Sequence, residues 1–299
     1  MPQHVPDSSN PPAQPCAEAQ SIRGRIGPDA DHGFHPAPHR YHLYLALSCP
    51  ECLRIAITHT LLGLDDRLPV TYLPAVPDMR NGGYHALRGA YAATSHAYHG
   101  PSAAPALTDR WTGRVVSNHA ADITHDLAVR FPGDGPDLRP HGLRRRIDAV
   151  VELCDEAVTE AAQRAGEASP DPGRGPALAR LLGALDQVEG WLADGPFVLG
   201  DAVTAADVHL WVTLVQLDLV HRWHLDADAV HRIAAHPRVW AYARRLLAHP
   251  AFGPLLRPGD ITRRHHHQCA GLEAAGAAVQ IVDWTAAEAL TPAPVHPGR

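Results

Sequence analysis

Of the 299 residues, 40–63 (RYHLYLALSCPECLRIAITHTLLG) leave the chain the fewest options. Tyr41, Leu43, Leu45 and Leu47 alternate with period 2, which predicts a strand with one face in the core. After Ser48-Cys49-Pro50-Glu51-Cys52 the period changes: Leu53, Ile57 and Leu61 recur at helical spacing, Pro50 suits the first helical turn, and Gly63 is placed to stop the helix. Residues 68–73 (LPVTYL) read as a second strand. The unit is βαβ, and its right-handed crossover implies parallel pairing.

Residues 103–109 and 114–117 form two more strand-like runs around Gly113, the pattern of a hairpin, and residues 121–131 a helix after it. The order βαβ then ββα predicts a thioredoxin-like α/β domain over residues 40–131. A Pro- and Gly-rich linker covers 132–145. From 146 to 260 the apolar period is helical throughout, as in Ile147, Val150, Val151, Cys154 and Val158, or Leu178, Leu181, Leu182, Leu185, Val188 and Trp191, so an all-α domain of four or more helices is expected. Thr204-Ala205-Ala206-Asp207 has capping-box spacing ahead of the most apolar of these helices and is given a structural role. Residues 1–39 read as an extension over the surface or without order, and 261–299 as a tail that can fold back.

Composition narrows the function. Hydrophobic residues at 45% give ample material for a core, and a net charge of -6 with no basic run argues against nucleic acid as a partner. No apolar stretch reaches the roughly 18 residues a membrane span needs, and the N-terminus has neither the basic start nor the apolar run of a secretory signal. Five cysteines, Cys16, Cys49, Cys52, Cys154 and Cys269, are odd in number and thinly spread, so no disulfide framework is expected and the cytoplasm is the default location. Only Cys49 and Cys52 are spaced for chemistry. At the start of a helix, backbone N–H groups and the helix dipole favour a thiolate at Cys49, and Cys52, one turn on, can resolve a mixed disulfide formed there. A zinc half-site or two buried thiols is the plainer alternative. Pro105, after a small residue at the start of the third strand, is expected to be the cis proline that faces the cysteine in thioredoxin-like domains.

Residues 40–66 resemble the opening of the Xi-class glutathione transferases, the glutathionyl-hydroquinone reductases. VVSNHAADI (115–123), LGDAVTAADVHLWVTLVQLD (199–218), HPRVWAYARRLLAHP (236–250) and ITRRHHH (261–267) follow that family's landmarks in order. The resemblance covers most of the chain. It implies a thioredoxin-like domain followed by an all-α glutathione-transferase domain, a cytoplasmic homodimer, and a cysteine, here Cys49, that removes glutathione from glutathionyl-hydroquinones through a mixed disulfide. It further implies that Pro105, Ser117, Asn118, His119 and Ala120 form the wall that holds the thiol.

The departures from the family pattern are specific. The usual turn is CPWA, whereas Glu51 and Cys52 follow the proline here. His119-Ala120 stands where a Glu-Ser pair holds the γ-glutamyl end of glutathione, Pro101 where an Arg is expected, and Tyr84 where a Trp is expected. Tyrosines near the acceptor align with Gln163, His221 and the pair His266-His267. His221, His266 and His267 are assigned to the acceptor site, and His119, His221 and His265 to His267 are the candidates for general acids or hydrogen-bonding groups at the cleft, with no metal. The expectation is a thiol-dependent reductase or transferase using glutathione or another low-molecular-weight thiol, with a quinone-type or disulfide acceptor. The rival is a non-catalytic ligand-binding protein of the same fold.

Overall fold

The computed structural model describes residues 21–29, 31, 33–131, 133–167, 173–269 and 280–285. Cys16, most of the N-terminal extension and much of the C-terminal tail lie outside the described residues. Strand β1 (Tyr41–Leu45) is buried at every second residue, as its alternation requires. It pairs in parallel with β2 (Val70–Tyr72) and antiparallel with β3 (Ala106–Asp109), which pairs antiparallel with β4 (Arg114–Ser117). The sheet order is therefore β2-β1-β3-β4. Helix α1 (Pro50–Leu61) crosses between β1 and β2, and Gly63, at φ +63°, ends it in the left-handed region that glycine enters freely. A short helix α2 (Arg88–Thr94) lies between β2 and β3; RGAYAAT carries too few apolar residues to show a period. Helix α3 (Ala120–Arg130) follows the hairpin.

The helical half starts at α4 (Arg144–Glu152), passes through a wider π-helical stretch (Leu153–Glu160) into α5 (Ala161–Ala165), and returns as α6 (Arg174–Trp191). Helix α7 (Ala205–Leu219) runs through the middle with nearly all of its residues buried. The capping box at its start is present: Asp207 accepts from the Thr204 N–H at 2.9 Å, and also from the Val198 N–H at 2.9 Å and the Tyr242 hydroxyl at 3.0 Å. Helices α8 (Ala227–Ala234), α9 (Pro237–Leu247) and α10 (Pro258–Gln268) complete the bundle. Helix α10 runs unbroken across residue 260, so the boundary drawn there from the sequence falls inside a helix.

Two segments expected to be peripheral are built into the packing. Beside β4, Ile22 and Asn118 exchange backbone and side-chain bonds, Gly24 donates to Val116 O, and Arg23 and Arg25 pair with Asp122 and Asp126 of α3. At the other end, the fully buried Asp218 of α7 accepts from the amides of Ile281 and Val282 and, at 2.8 Å, from the indole N–H of Trp284. Trp284 is itself fully buried, edge-on to Trp211 with ring centroids 5.9 Å apart. Truncating Trp284 removes a large buried ring and strips Asp218 of one donor, so Trp284→Ala is expected to cost about 3–5 kcal/mol in urea denaturation. A loss under about 1 kcal/mol would show that the folded-back segment contributes packing of no consequence.

Candidate active site

Cys49 is the N-cap of α1, with extended backbone at φ -93° and ψ 127°, and its carbonyl accepts the first helical bond from Leu53 N at 3.0 Å. Its side chain closes no full cap bond onto the helix, yet the Cys52 amide in the first turn still helps to lower its pKa, alongside the side chains around it. The Cys49 thiol is pulled down to about 6: the Cys52 thiol contributes most, as a hydrogen-bond donor, and Arg264 adds positive charge, against burial and the negative charge of Glu51. Cys52 has no exposed surface, and burial first, then Cys49, pushes its own pKa well above that of an ordinary thiol. The pair is thus a thiolate beside a protonated donor.

Arg264 is the residue that sequence reasoning missed. It comes from α10, and its guanidinium donates to the Tyr84 hydroxyl at 3.1 Å and the Ala75 carbonyl at 3.4 Å, which ties the last helix to loops of the sheet half. It stands in the ITRRHHH run, where the histidines drew attention instead.

A cavity of about 490 Å³ opens on one side of the α1 start, lined by Glu51 and Arg54 of α1, by Pro105, Asn118, His119 and Ala120 of the sheet half, and by Asp155 and His209 of the helical half. The Ala104–Pro105 bond is cis. Asn118 lines the space, but its side chain accepts from Ile22 N at 2.8 Å and donates to Tyr91 OH at 3.1 Å, so it acts as a brace for the wall. Ser117 is buried, and its hydroxyl accepts from His119 N. The Nδ1 of His119 lies 3.4 Å from the Asp122 amide as a cap on α3. Across the cavity His209 meets Asp155 at 2.7 Å; burial opposes ionisation of Asp155, but that bond and the nearby charges of His209 and Arg54 hold its carboxyl below the usual range. Two polar atoms of the lining, Arg54 Nε and Thr58 Oγ1, are buried with no hydrogen-bond partner. Unsatisfied donors of this kind favour a ligand that brings acceptors.

A second cavity, of about 410 Å³, is lined by Gln163, His221, His224, His265 and Cys269 among others. A small recess lined by Ser48, Pro50, Arg264 and His265 connects its edge to the Cys49 turn. Of the three histidines assigned to the acceptor, only His221 is here. His266 and His267 are exposed on α10 and stand outside this lining, because helical spacing turns His265 inward in their place. Burial, then His224 and His265, push His221 down to about 4, so it is neutral at working pH, a state that suits hydrogen bonding and not the role of an imidazolium acid.

Residues 144–245 match the family described as "Glutathione S-transferase, C-terminal domain". The chain is 30% identical over 244 residues to the glutathionyl-hydroquinone reductase PcpF of Sphingobium chlorophenolicum, covering 76% of this chain and 77% of that one. It belongs to the glutathionyl-hydroquinone reductases, the Xi class of glutathione transferases. A glutathione transferase from Gordonia bronchialis superposes with a TM-score of 0.73 at 29% identity, over 83% of this chain and 82% of that chain. The Xi transferase of Phanerochaete chrysosporium does so with 0.71 at 26%, over 88% and 94%. No helix among the described residues is long and apolar enough to cross a membrane. Within this family, the thiolate–thiol pair and its distant arginine give a direct expectation. The alkylation rate of Cys49 should rise with a midpoint near pH 6, since the thiolate is the reactive form and is present above its pKa. Cys52→Ala and Arg264→Gln should each move that midpoint up; a midpoint near the value of about 8.5 of a free cysteine in the unaltered protein would remove the nucleophile assignment.

Proposed function

We propose that this protein is a thiol-dependent reductase that removes a low-molecular-weight thiol from a thiol-substituted hydroquinone, with Cys49 as nucleophile. The observation that carries this is the lowered Cys49 thiol at the start of α1, with a neutral thiol donor at its side and the charge of Arg264 nearby, in a turn whose neighbours Ser48, Pro50 and Glu51 line recesses of the surface. Support comes from relatives named for this activity, PcpF and, at 27% identity, the glutathionyl-hydroquinone reductase YqjG of Escherichia coli.

In the first step the Cys49 thiolate attacks the thioether sulfur of the adduct. The sulfur–carbon bond breaks, the ring carbon takes a proton and leaves as the free hydroquinone, and Cys49 keeps the thiol as a mixed disulfide. In the second, the Cys52 sulfur attacks Cys49, expels the small thiol and leaves an internal disulfide. The enzyme loses two hydrogens, which leave on the two products. A further pair of small thiols restores it. The first cavity suits the thiol, since it holds Pro105 and the 118–120 wall together with the unsatisfied Arg54 Nε; the second suits the aromatic acceptor. Glutathione itself meets His119-Ala120 in place of a carboxylate and a hydroxyl, so another small thiol is an equal claimant. A purely ligand-binding role gives no reason for the lowered Cys49.

Intact-mass spectrometry after one equivalent of S-glutathionyl-hydroquinone tests the scheme. The unaltered protein should emerge two hydrogens lighter with no adduct, and Cys52→Ala should retain the thiol on Cys49. Equal adduct lifetimes would make the mechanism monothiol, and no adduct or turnover with a panel of thiol conjugates would end the proposal. The wall makes its own prediction: His119→Glu combined with Ala120→Ser should tighten glutathione binding by roughly tenfold or more in calorimetry, the scale of one restored charge-assisted hydrogen bond of about 1.5–3 kcal/mol. Unchanged binding would place the γ-glutamyl end elsewhere.

A further inference from the structure

Beside the acceptor cavity, three side chains that the proposed chemistry does not use converge. His224 ends the single helical turn His221–His224 that follows α7, His265 lies on the last turns of α10, and Cys269 is the C-cap of α10. His265 and Cys269 are four residues apart and so share one helix face, and the Cys269 amide donates to the His265 carbonyl at 2.8 Å, which fixes the cap. Their donor atoms and that of His224 all lie within 4.8 Å of one another. Gly166 makes the approach possible: a Cβ there would stand 2.7 Å from the Cβ of His224.

We infer that His224, His265 and Cys269 form a binding site for a borderline-soft divalent transition ion of the zinc class, with a fourth position open to the cavity. The spacing supports this. With metal–nitrogen bonds of about 2.0–2.1 Å and a metal–sulfur bond of about 2.3 Å at tetrahedral angles, two nitrogens stand about 3.3 Å apart and nitrogen and sulfur about 3.6 Å. The structure has His224 Nε2 and His265 Nε2 at 3.1 Å and Cys269 Sγ to His224 Nε2 at 3.7 Å. Two ring nitrogens and a thiolate select zinc, cobalt or copper over magnesium or calcium, which want oxygen. All three residues line the second cavity, so the remaining coordination position faces space that water or an oxygen ligand can fill. Binding replaces the proton of the Cys269 thiol by the metal and releases it to solvent. The site shares the cavity that the reductase reading gives to the acceptor, but metal binding does not rest on that reading.

The test uses the full-length, reduced, chelator-treated protein and cobalt(II) as probe. One ion per chain is expected, with the strong visible bands of tetrahedral cobalt and a sulfur-to-cobalt charge-transfer band, both erased when zinc is added. Cys269→Ser should abolish the charge-transfer band and weaken binding by at least about a hundredfold, beyond the roughly 10–100-fold that loss of outer-shell support causes. His224→Gln should weaken it comparably, so the conclusion does not depend on one variant folding. Cys49→Ser and, on the exposed face of α8, His231→Ala should leave spectrum and affinity unchanged. Zinc should raise the thermal midpoint of the unaltered protein and leave that of Cys269→Ser in place. No cobalt uptake, a charge-transfer band that disappears with Cys49→Ser, or unaltered affinity in Cys269→Ser would overturn the site and leave a hydrogen-bonded cluster.

Discussion

Helix α1 is buried on both sides. It lies against α3 and β1 on one flank and against α7 on the other, and its residues from Cys52 to His59 are all buried. A helix so enclosed cannot slide or tilt without opening two cores at once, so the position of its first turn is fixed by the side chains packed along it. Cys49 sits at that turn. The rigidity of Cys49 is therefore a by-product of the hydrophobic packing that joins the sheet half to the helical half, and Arg54, which reaches from α1 to Thr213 of α7, adds a polar tie across the same seam.

Charge is handled by enclosure as well. Asp109, Asp207 and Asp218 are all fully buried, and each is matched to several donors: Arg40 with the Trp111 amide, the start of α7 with Tyr242, and the returning 281–284 segment with Arg222. Each carboxylate stitches segments distant in sequence, which is a use of buried polar groups for specificity of arrangement. Arg264 follows the same logic in reverse. It is a partly buried cation whose hydrogen bonds go to Tyr84 and Ala75, leaving its field to act on the thiolate.

The strands, α1, the hairpin and the succession of helices could be read from periodicity because each buries one face, or, for α1 and α7, nearly all of itself. What could not be read were α2, which buries only Tyr91, and the π stretch at 153–160, whose buried Cys154, Ala157 and Val158 keep the spacing of an ordinary α-helix. Cys49 and Cys52 declared themselves by spacing, and Pro105 by its place in the order of elements. Arg264 and the convergence of His224, His265 and Cys269 depend on where α10 docks, a long-range fact that local pattern does not encode. The same docking explains why His266 and His267 face solvent while His265 faces the cavity: a helix presents only one of three consecutive residues to a given side.

The segment from Ile22 to Ile26 has a consequence for how the fold ends. By running beside β4 it gives the sheet a fifth, irregular border, and its amide and carbonyl at Ile22 are what hold Asn118 in the wall of the first cavity. The border of the sheet and the border of the binding pocket are thus the same few hydrogen bonds. Whatever loosens that border therefore moves the wall of the pocket with it.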